Sequence, residues 1–461
     1  MVSISKIVSS SLIFAANDQF RDVGSIDLAA KTQYNIVKYM YGNGPYMQNP
    51  GYGISTDVPD QCTLEHVQVY MRHGERYPGI SDGEKQKALV DKLQSYNSSL
   101  SGPLSFLNDY EYYVKDDSLY ELETTPSNAK GPFTGYETCN KAGLAFRAKY
   151  NDLYNENETL PVFIAASKRV YDLADFFVNG FLGEDYDEDK IKRVVISEEK
   201  SSGFNSLTPR WACPLYYNPN TTAPKFKSDY LEDIADRLKT DNDGLNLTSS
   251  DIPYLFQLCS FELNSKGYSQ FCDIFTQDEL VTNDYAQGYD SYHSAGAGSK
   301  TSKYAGSVQL NASLALLKED DPKNKIVLSF THDTDIQVFY ASLGLFDVSG
   351  EMPSDKVDVR NAFRRTEVVP MGGRLITEKY KCDGKSYVRF IANDAVIPLQ
   401  NCSDGPGFSC SLTDFEDIVS KKQSFNLLDE CNTPDDIPHE LTFYWDYDEK
   451  NYNATAPRVT A

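Results

Sequence analysis

The sequence lacks any stretch of about 20 consecutive apolar residues, the length that a helix needs to span a bilayer. Residues 453–461 also offer no hydrophobic anchoring tail. We therefore expect a soluble protein with no membrane partner. Positively charged residues are also few: the chain contains 44 Lys and Arg but 67 Asp and Glu, which gives a net charge of -23. Nucleic-acid binding needs the opposite sign, so we expect no nucleic-acid partner.

Histidine is scarce, with five residues in the whole chain. The C-x-x-C spacing that is typical of zinc sites does not occur, although there are nine cysteines. Segment 296–301 resembles a phosphate-binding P-loop but lacks the first glycine at the required spacing and the Gly-Lys pair, so we interpret it as a flexible loop. We expect neither a metal nor a cofactor.

Cysteines and glycosylation sequons are, by contrast, abundant. Cys402 and Cys410 bracket a Gly/Pro-rich loop, and Cys259 and Cys272 are similarly close, as local disulfides would be. The odd number of cysteines leaves one thiol over. We predict an exported glycoprotein, secreted or held in the cell wall or periplasm. The seven predicted glycosylation sites are the Asn-x-Ser/Thr sequons at Asn97, Asn157, Asn220, Asn246, Asn311, Asn401 and Asn453.

The N-terminal segment has two possible interpretations. Its first sixteen residues contain a lysine, a short apolar run and small residues, as a signal peptide does. The alternative is an ordered arm that stays on the protein. The segment before Cys62 is rich in Gly, Pro and Tyr, and we expect residues 1–45 to form an N-terminal arm that contacts another subunit.

One pattern occurs three times: a short apolar, β-branched run that ends abruptly in charged residues. Continuous apolar runs of this length are typical of buried strands in a mostly parallel sheet. Ligands bind beyond the carboxyl ends of the strands in such sheets, so the three charged ends can converge on one pocket. The runs are 66–71, 162–166 and 325–330, and they are followed by the charged segments 72–78, 167–169 and 331–333.

Helical periodicity follows the second and third runs, at 170–182 and 335–345. This strand-then-helix order predicts an α/β fold with a mainly parallel sheet flanked by helices. Between 201 and 300 the segments 230–238 and 250–263 look helical. We therefore predict a smaller, mainly helical inserted domain at residues 201–300, while residues 46–200 and 301–461 form the α/β catalytic domain.

The segment 72–78 is the most informative part of the chain. Arg72 and Arg76 flank His73, and Gly74 removes a side chain that would block close approach to the histidine. Arginine forks match phosphate oxygens and stay charged at any pH. An imidazole beside them is a plausible nucleophile toward phosphorus, which would give a phosphohistidine intermediate.

Two further strand ends supply the remaining groups. Arg169 adds a cation, and His332-Asp333 adds an acid that can protonate the departing alkoxide. Asp333 must then arrive protonated while His73 attacks as the neutral base, which predicts an acidic working pH. The clustered arginines should lower the pKa of His73, since like charge disfavours its protonation.

The motif R-H-G-x-R-x-P, followed far downstream by H-D, resembles the signature of the histidine acid phosphatase family. The similarity looks closest to the secreted acid phosphatases and phytases of yeasts. It extends through 329–335, 393–398, 405–410 and 441–446, and so covers most of the chain from about residue 42 onward.

The resemblance implies an α/β domain with a mainly helical insertion and a role for each motif residue. His73 corresponds to the family's nucleophile and Asp333 to its proton donor, while Arg72, Arg76, Arg169 and His332 correspond to the phosphate-binding set. It also implies four disulfides, which leave Cys139 unpaired. These pairs are Cys62–Cys382, Cys213–Cys431, Cys259–Cys272 and Cys402–Cys410.

The expected function is hydrolysis of phosphate monoesters, and the expected partners are anionic phosphorylated small molecules such as phytate, myo-inositol hexakisphosphate. A broad-specificity acid phosphatase with little preference for phytate is the alternative, because residues 200–300 carry no transferable motif. The resemblance also implies a homo-oligomer, a dimer or a tetramer. A metal-dependent hydrolase that uses His332 and Asp333 as ligands is less well supported, because such sites need several further ligands.

Asp335 is the obvious rival of Asp333 for the acid role, although we interpret it as a support of the following helix. The other three histidines have no partner pattern. We interpret His66 as structural, and we assign His293 and His439 to the surface or the core.

Overall fold

The computed structural model describes residues 36–217, 223–360 and 362–455. They form an eight-stranded mixed sheet with the strand order β3-β2-β4-β1-β5-β6-β7, in which β8 pairs with β6. The strands are β1 (Cys62–Arg72), β2 (Leu160–Ala165), β3 (Ile191–Ile196), β4 (Ile326–Thr331), β5 (Arg374–Cys382), β6 (Lys385–Ala392), β7 (Ala395–Val396) and β8 (Cys410–Ser411). The predicted α/β fold is confirmed, with a parallel core and an antiparallel extension.

The parallel core contains the three strands that the sequence predicted. β1, β2 and β4 run in one direction together with β3, and all the residues of β2 and β4 are buried. In the register of the sheet, Arg72 lies opposite Thr331, and Ile164 lies opposite Phe330. The residues that follow these three strands therefore emerge side by side at one edge.

The antiparallel extension was not predicted. β5 pairs with β1, with an irregularity between Leu64 and His66, and β6 pairs with β5. β5 mixes apolar residues with charged ones that are nevertheless buried, such as Glu378, which lies between Lys149 and Arg389. Charged residues at buried positions interrupt the apolar run, so a search for hydrophobic patterns does not recognise such a strand.

Helices surround the sheet, and four of them cover the segments where helical periodicity was predicted. Short 3-10 turns, including Pro209–Ala212 and Pro214–Tyr217, connect several of them. The α-helices are α1 (Ile80–Gln94), α2 (Gly135–Tyr150), α3 (Lys168–Leu182), α4 (Asp229–Lys239), α5 (Ile252–Lys266), α6 (Gln270–Asp273), α7 (Gln277–Ser294), α8 (Ser302–Ala305), α9 (Ser307–Lys318), α10 (Asp333–Leu343), α11 (Arg365–Val368), α12 (Leu412–Lys422), α13 (Leu427–Cys431) and α14 (Phe443–Asp446).

Two large hydrophobic clusters underlie this arrangement. One fills the space around the sheet, and the other is built from the helical region. The helical cluster joins α4 and α5 to α1 and to Val37, Met40 and Tyr41 of the N-terminal segment. The domain boundaries given above stay a prediction.

The structure contains four disulfides. They link Cys62 to Cys382, Cys213 to Cys431, Cys259 to Cys272 and Cys402 to Cys410, while Cys139 is a buried free thiol.

The sequon asparagines within the described residues are all exposed, namely Asn97, Asn157, Asn246, Asn311, Asn401 and Asn453. Asn220 and the predicted signal segment lie outside the described residues. Within the described ranges, no helix is both long and apolar enough to cross a bilayer.

Candidate active site

The six predicted site residues come together at the carboxyl edge of the parallel strands. β1 and β4 are neighbours, so His73 and His332 follow them side by side, with their ring centroids 6.3 Å apart. Arg169 lies in the first turn of α3, just beyond the end of the adjacent β2. A parallel sheet brings these groups together although they are far apart in the sequence.

His73 is oriented by its own loop. It is 2% exposed, and its Nδ1 lies 2.9 Å from the carbonyl oxygen of Gly74. A carbonyl oxygen only accepts hydrogen bonds, so Nδ1 carries the proton and Nε2 keeps its lone pair. Burial lowers the pKa of His73 well below its ordinary value, and Arg72, Arg76 and Arg169 lower it further. The ring is therefore neutral in acid, as the sequence predicted.

Gly74 also has a packing role that the sequence did not suggest. A Cβ at this position would lie 2.7 Å from the Cα of Gly135 and 2.9 Å from the Sγ of Cys139, both in α2. The missing side chain thus lets the loop that carries His73 pack against a helix. The N–H of Gly74 donates to the carboxyl of buried Glu123, which anchors the loop from behind.

The three arginines are held in different ways. Arg72 is 2% exposed, and its Nη1 donates to the carbonyls of Gly42 and Val369 at 2.7 and 2.6 Å. Arg76 donates to the carbonyl of Tyr77 at 2.7 Å and lies over the ring of Phe261. Arg169 is half-buried and donates to Glu121 at 2.6 Å.

These bonds leave several cationic donors unused. Among the described residues, five buried nitrogens of the cluster have no hydrogen-bond partner. They are the Nε atoms of Arg72, Arg76, Arg169 and Arg365, which are donors, and the Nδ1 atom of His332, which is a donor only while that ring is protonated. Buried donors without partners are costly, and a phosphoryl group with several acceptor oxygens suits such a set.

His332 is paired with a carboxylate. Its Nε2 lies 2.8 Å from Glu198 Oε1, just beyond the end of β3. Burial lowers the pKa of His332, and Glu198 works in the opposite direction. Glu198 therefore fixes the ring and favours its charged form.

Asp333 is the acid of the cluster, but its carboxylate is already engaged. Its Oδ2 accepts from Arg365 at 2.5 Å and lies 3.7 Å from Arg72 Nη2. Burial alone would raise the pKa of Asp333, yet Arg72 and Arg365 outweigh burial and hold the pKa well below its usual range. The expectation that Asp333 arrives protonated is therefore wrong for the free protein, because it left out the effect of Arg72 on the carboxyl and that of Arg365, which the sequence did not predict.

Asp335, the rival for the acid role, is fully buried and paired with Arg210 of the turn Pro209–Ala212. Its ion pair supports the position of α10, in agreement with our interpretation. His66 is buried in β1, where burial lowers its pKa to about 3.

Sequence reasoning missed four residues that shape the site: Glu123, Glu198, Arg210 and Arg365. Glu198 follows β3, so the strand-end rule would have found it if that strand had been recognised. Arg365 and its neighbour Arg364 lie in a loop-rich segment, where nothing distinguishes a site arginine from a surface one. Among the described residues, no group of three or more His, Cys, Asp or Glu side chains could hold a metal ion.

Comparisons with known proteins agree with this geometry. The family model of the histidine phosphatase superfamily (branch 2) matches residues 63–393. The chain is similar to Phytase PHO112 of Candida albicans, at 45% identity over 98% of this chain and 99% of that one. It is also similar to the repressible acid phosphatase of Saccharomyces cerevisiae, at 40% identity over 98% of both. The crystal structure of the phytase from D. castellii matches with a TM-score of 0.89 and 44% identity, over 94% of this chain and 95% of that one.

Proposed function

The chain belongs to the histidine phosphatase superfamily (branch 2), and from this premise we propose that it is an exported acid phosphatase that uses His73 as its nucleophile. The observation that carries the proposal is a buried imidazole, held through Nδ1 by the carbonyl oxygen of Gly74, beside unpartnered guanidinium nitrogens. Such a set can hold a phosphoryl group and attack it, with no step that requires a metal.

In the first half-reaction, Nε2 of His73 forms a bond to phosphorus as the bond from phosphorus to the ester oxygen breaks. The departing alkoxide takes its proton from Asp333. Charge develops on the phosphoryl oxygens in a loose transition state, and Arg72, Arg76, Arg169 and His332 are positioned to stabilise it.

In the second half-reaction, water attacks the phosphohistidine. The carboxylate of Asp333 accepts a proton from the water as the bond from phosphorus to Nε2 breaks. Inorganic phosphate then leaves, and His73 is neutral again. Protons and charges balance between the two half-reactions, since Asp333 regains in the second the proton that it donated in the first.

Replacement of His73 tests the proposal. We expect wild-type protein to hydrolyse an aryl phosphate at acidic pH in the presence of a chelator, and His73→Ala to fall to the background rate because no nucleophile remains. His439→Ala, which alters a histidine whose Nε2 lies 3.2 Å from the carbonyl oxygen of Pro434, is the matched control. Activity that a chelator abolishes, or that survives in His73→Ala, would contradict the proposal.

Replacement of Asp333 tests the acid role. We expect Asp333→Asn to lower kcat by about 10²–10⁴-fold on an alkyl phosphate, because the leaving alkoxide then goes unprotonated. The loss should be smaller for an aryl phosphate, whose leaving group needs less help. An equal loss on both substrates would remove Asp333 from the role of proton donor.

Phytate is the proposed natural substrate, supported by the similarity to two proteins named phytases. The ratio of kcat/KM on phytate to kcat/KM on an aryl phosphate distinguishes a phytase from a broad acid phosphatase. The proposed dimer or tetramer and the proposed glycans require separate measurements. Light scattering gives the mass of the particle, and deglycosylation followed by mass spectrometry gives the occupied sequons.

A further inference from the structure

Arg365 contacts the catalytic acid but belongs to no motif. It begins the short helix α11 and donates from Nη2 to Asp333 Oδ2 at 2.5 Å. Both side chains are largely buried, at 19% and 18% exposed. The contact is thus a shielded ion pair at the centre of the site.

The neighbouring Arg364 provides a comparison. Arg364 is committed to Asp284, to Glu367 and to the carbonyl of Lys38. The guanidinium of Arg365, by contrast, has Asp333 as its hydrogen-bond partner, and its Nε has none among the described residues. Arg365 therefore has N–H groups without acceptors, in the part of the molecule where the phosphate-binding cations lie.

A phosphoryl group competes strongly for such a donor. A phosphate monoester carries up to two negative charges and three acceptor oxygens, while Asp333 carries one charge. Asp333 also lies 3.7 Å from Arg72, so a phosphoryl group held by Arg72 would lie close to Arg365.

We propose that Arg365 exchanges partners during the reaction, from the carboxylate of Asp333 in the free protein to the phosphoryl group of the bound substrate. The proton that Asp333 later donates then enters with the substrate, which in acid is the monoanion. This inference rests on the proposed function and adds Arg365 as a positioning residue for the acid.

The proton balance is as follows. A monoester with a second pKa of about 6 arrives in acid with one proton on its phosphoryl group. As Arg365 turns to the phosphoryl oxygens, that proton moves to Asp333, and the arginines hold a dianion. The proton then passes to the leaving alkoxide. Water resupplies it in the second half-reaction, and phosphate leaves as the monoanion.

Several groups contribute to the charge state of Asp333. Arg72 and Arg365 lower its pKa, and His73 and His332 add to this effect only while their rings carry a proton. Arg76 from the segment 72–78 and Tyr216 from the turn Pro214–Tyr217 also interact with it electrostatically. Of these, Arg365 makes the short contact and lies outside the motif residues, so it can be changed separately.

The first test is the pH profile of kcat/KM, which reports the ionisation of free enzyme and free substrate. The productive complex needs one proton shared between Asp333 and the phosphoryl group. Activity should therefore fall below the pKa of Asp333 and above the second pKa of the substrate. Arg365→Gln removes one charge, so we expect the acid limb to move up by roughly 1–3 pH units while the alkaline limb stays.

Three further variants make the result specific. Arg365→Lys restores the charge and should return the acid limb toward its wild-type position. Arg360→Gln changes an arginine that is 92% exposed and should leave the profile unchanged. In the Asp333→Asn background, tested on an activated aryl phosphate, Arg365→Gln should no longer move the acid limb. A shift that persists there would belong to His73 and would overturn the inference.

The second test needs no activity. Inorganic phosphate is titrated calorimetrically at about pH 5 in two buffers of different ionisation enthalpy, which reports proton release. We expect wild type to release almost no proton, because Asp333 keeps it, and Asp333→Asn to release about one per phosphate bound. Equal release by both proteins would overturn the exchange, whereas an active His73→Ala would overturn the proposed function alone.

Discussion

Several buried residues around His73 reduce the stability of the protein but supply nitrogen atoms that can bind an anion. The unpartnered nitrogens of Arg72, Arg76, Arg169, Arg365 and His332 each forgo a hydrogen bond that burial would otherwise require. Leaving a buried donor unsatisfied costs about 1–3 kcal/mol, and more for charged groups. A bound phosphoryl group would recover much of that free energy. The site is therefore shaped for an anion at the expense of stability.

Glu123 carries a residue-scale prediction. Burial raises its pKa well above the ordinary value, so the side chain is neutral while it accepts from the N–H of Gly74. The amide oxygen of Gln can accept the same bond. We expect Glu123→Gln to keep kcat and stability, and Glu123→Leu to lower the free energy of unfolding by about 1–3 kcal/mol and to lower kcat.

Urea unfolding and steady-state kinetics on the two variants check this expectation. If Glu123→Gln proves as damaging as Glu123→Leu, then the loop needs a charged carboxylate, and our account of its support is wrong.

At the scale of elements, the sequence allowed prediction of the strands whose buried segments are mostly apolar. The runs at 66–71, 162–166 and 325–330 are strands because they are buried on both faces of a parallel core. β3 carries Lys192 and Arg193, and β5 carries Glu378 and Lys379, so their hydrophobic patterns are interrupted. Residues that these elements position, such as Glu198, were missed for the same reason. Arg365 was missed because its role depends on a tertiary contact.

The packing of α2 on α3 carries the element-scale prediction. A Cβ at Gly143 would lie 1.9 Å from the carbonyl oxygen of Phe177, and one at Gly180 would lie 2.0 Å from that of Asn140. Alanine normally stabilises a helix by about 1 kcal/mol relative to glycine. Here it must push two backbones apart, so we expect Gly143→Ala to destabilise the protein by about 1–3 kcal/mol.

Activity should fall with stability in Gly143→Ala, because α3 carries Arg169 in its first turn. Leu144→Ala, at a 59% exposed position on the same helix, is the control and should change stability by less than about 0.5 kcal/mol. Urea unfolding distinguishes the two. A stabilised Gly143→Ala would mean that the helices are not in close backbone contact.

At the scale of the whole molecule, the stability of the folded protein in acid depends on buried groups whose protonation changes that stability in opposite directions. Burial raises the pKa of Asp284 to about 6, although Arg364 opposes this rise, so the folded state is favoured as pH falls from about 6 to the ordinary range of the carboxyl. Burial lowers the pKa of His66 to about 3, with Lys379 adding to the effect. Over its acidic working range, the protein, whose net charge is -23, is therefore stabilised by acid through Asp284 and destabilised by acid through His66.

His66 makes the folded protein less stable as the pH falls. Between pH of about 6.5 and 3 the unfolded chain binds a proton on this ring and the folded chain does not, so stability is lost as pH falls through that window. One proton corresponds to about 1.4 kcal/mol per pH unit. We expect the difference in the free energy of unfolding between wild type and His66→Gln to shrink by about that amount for each unit of acidification between pH 6 and 4.

Asp284→Asn should show the opposite trend over the same range, because wild type there gains stability in acid. Urea unfolding at pH 4, 5 and 6 measures both slopes, and a constant difference for His66→Gln would mean that His66 takes up its proton equally in the folded and unfolded states.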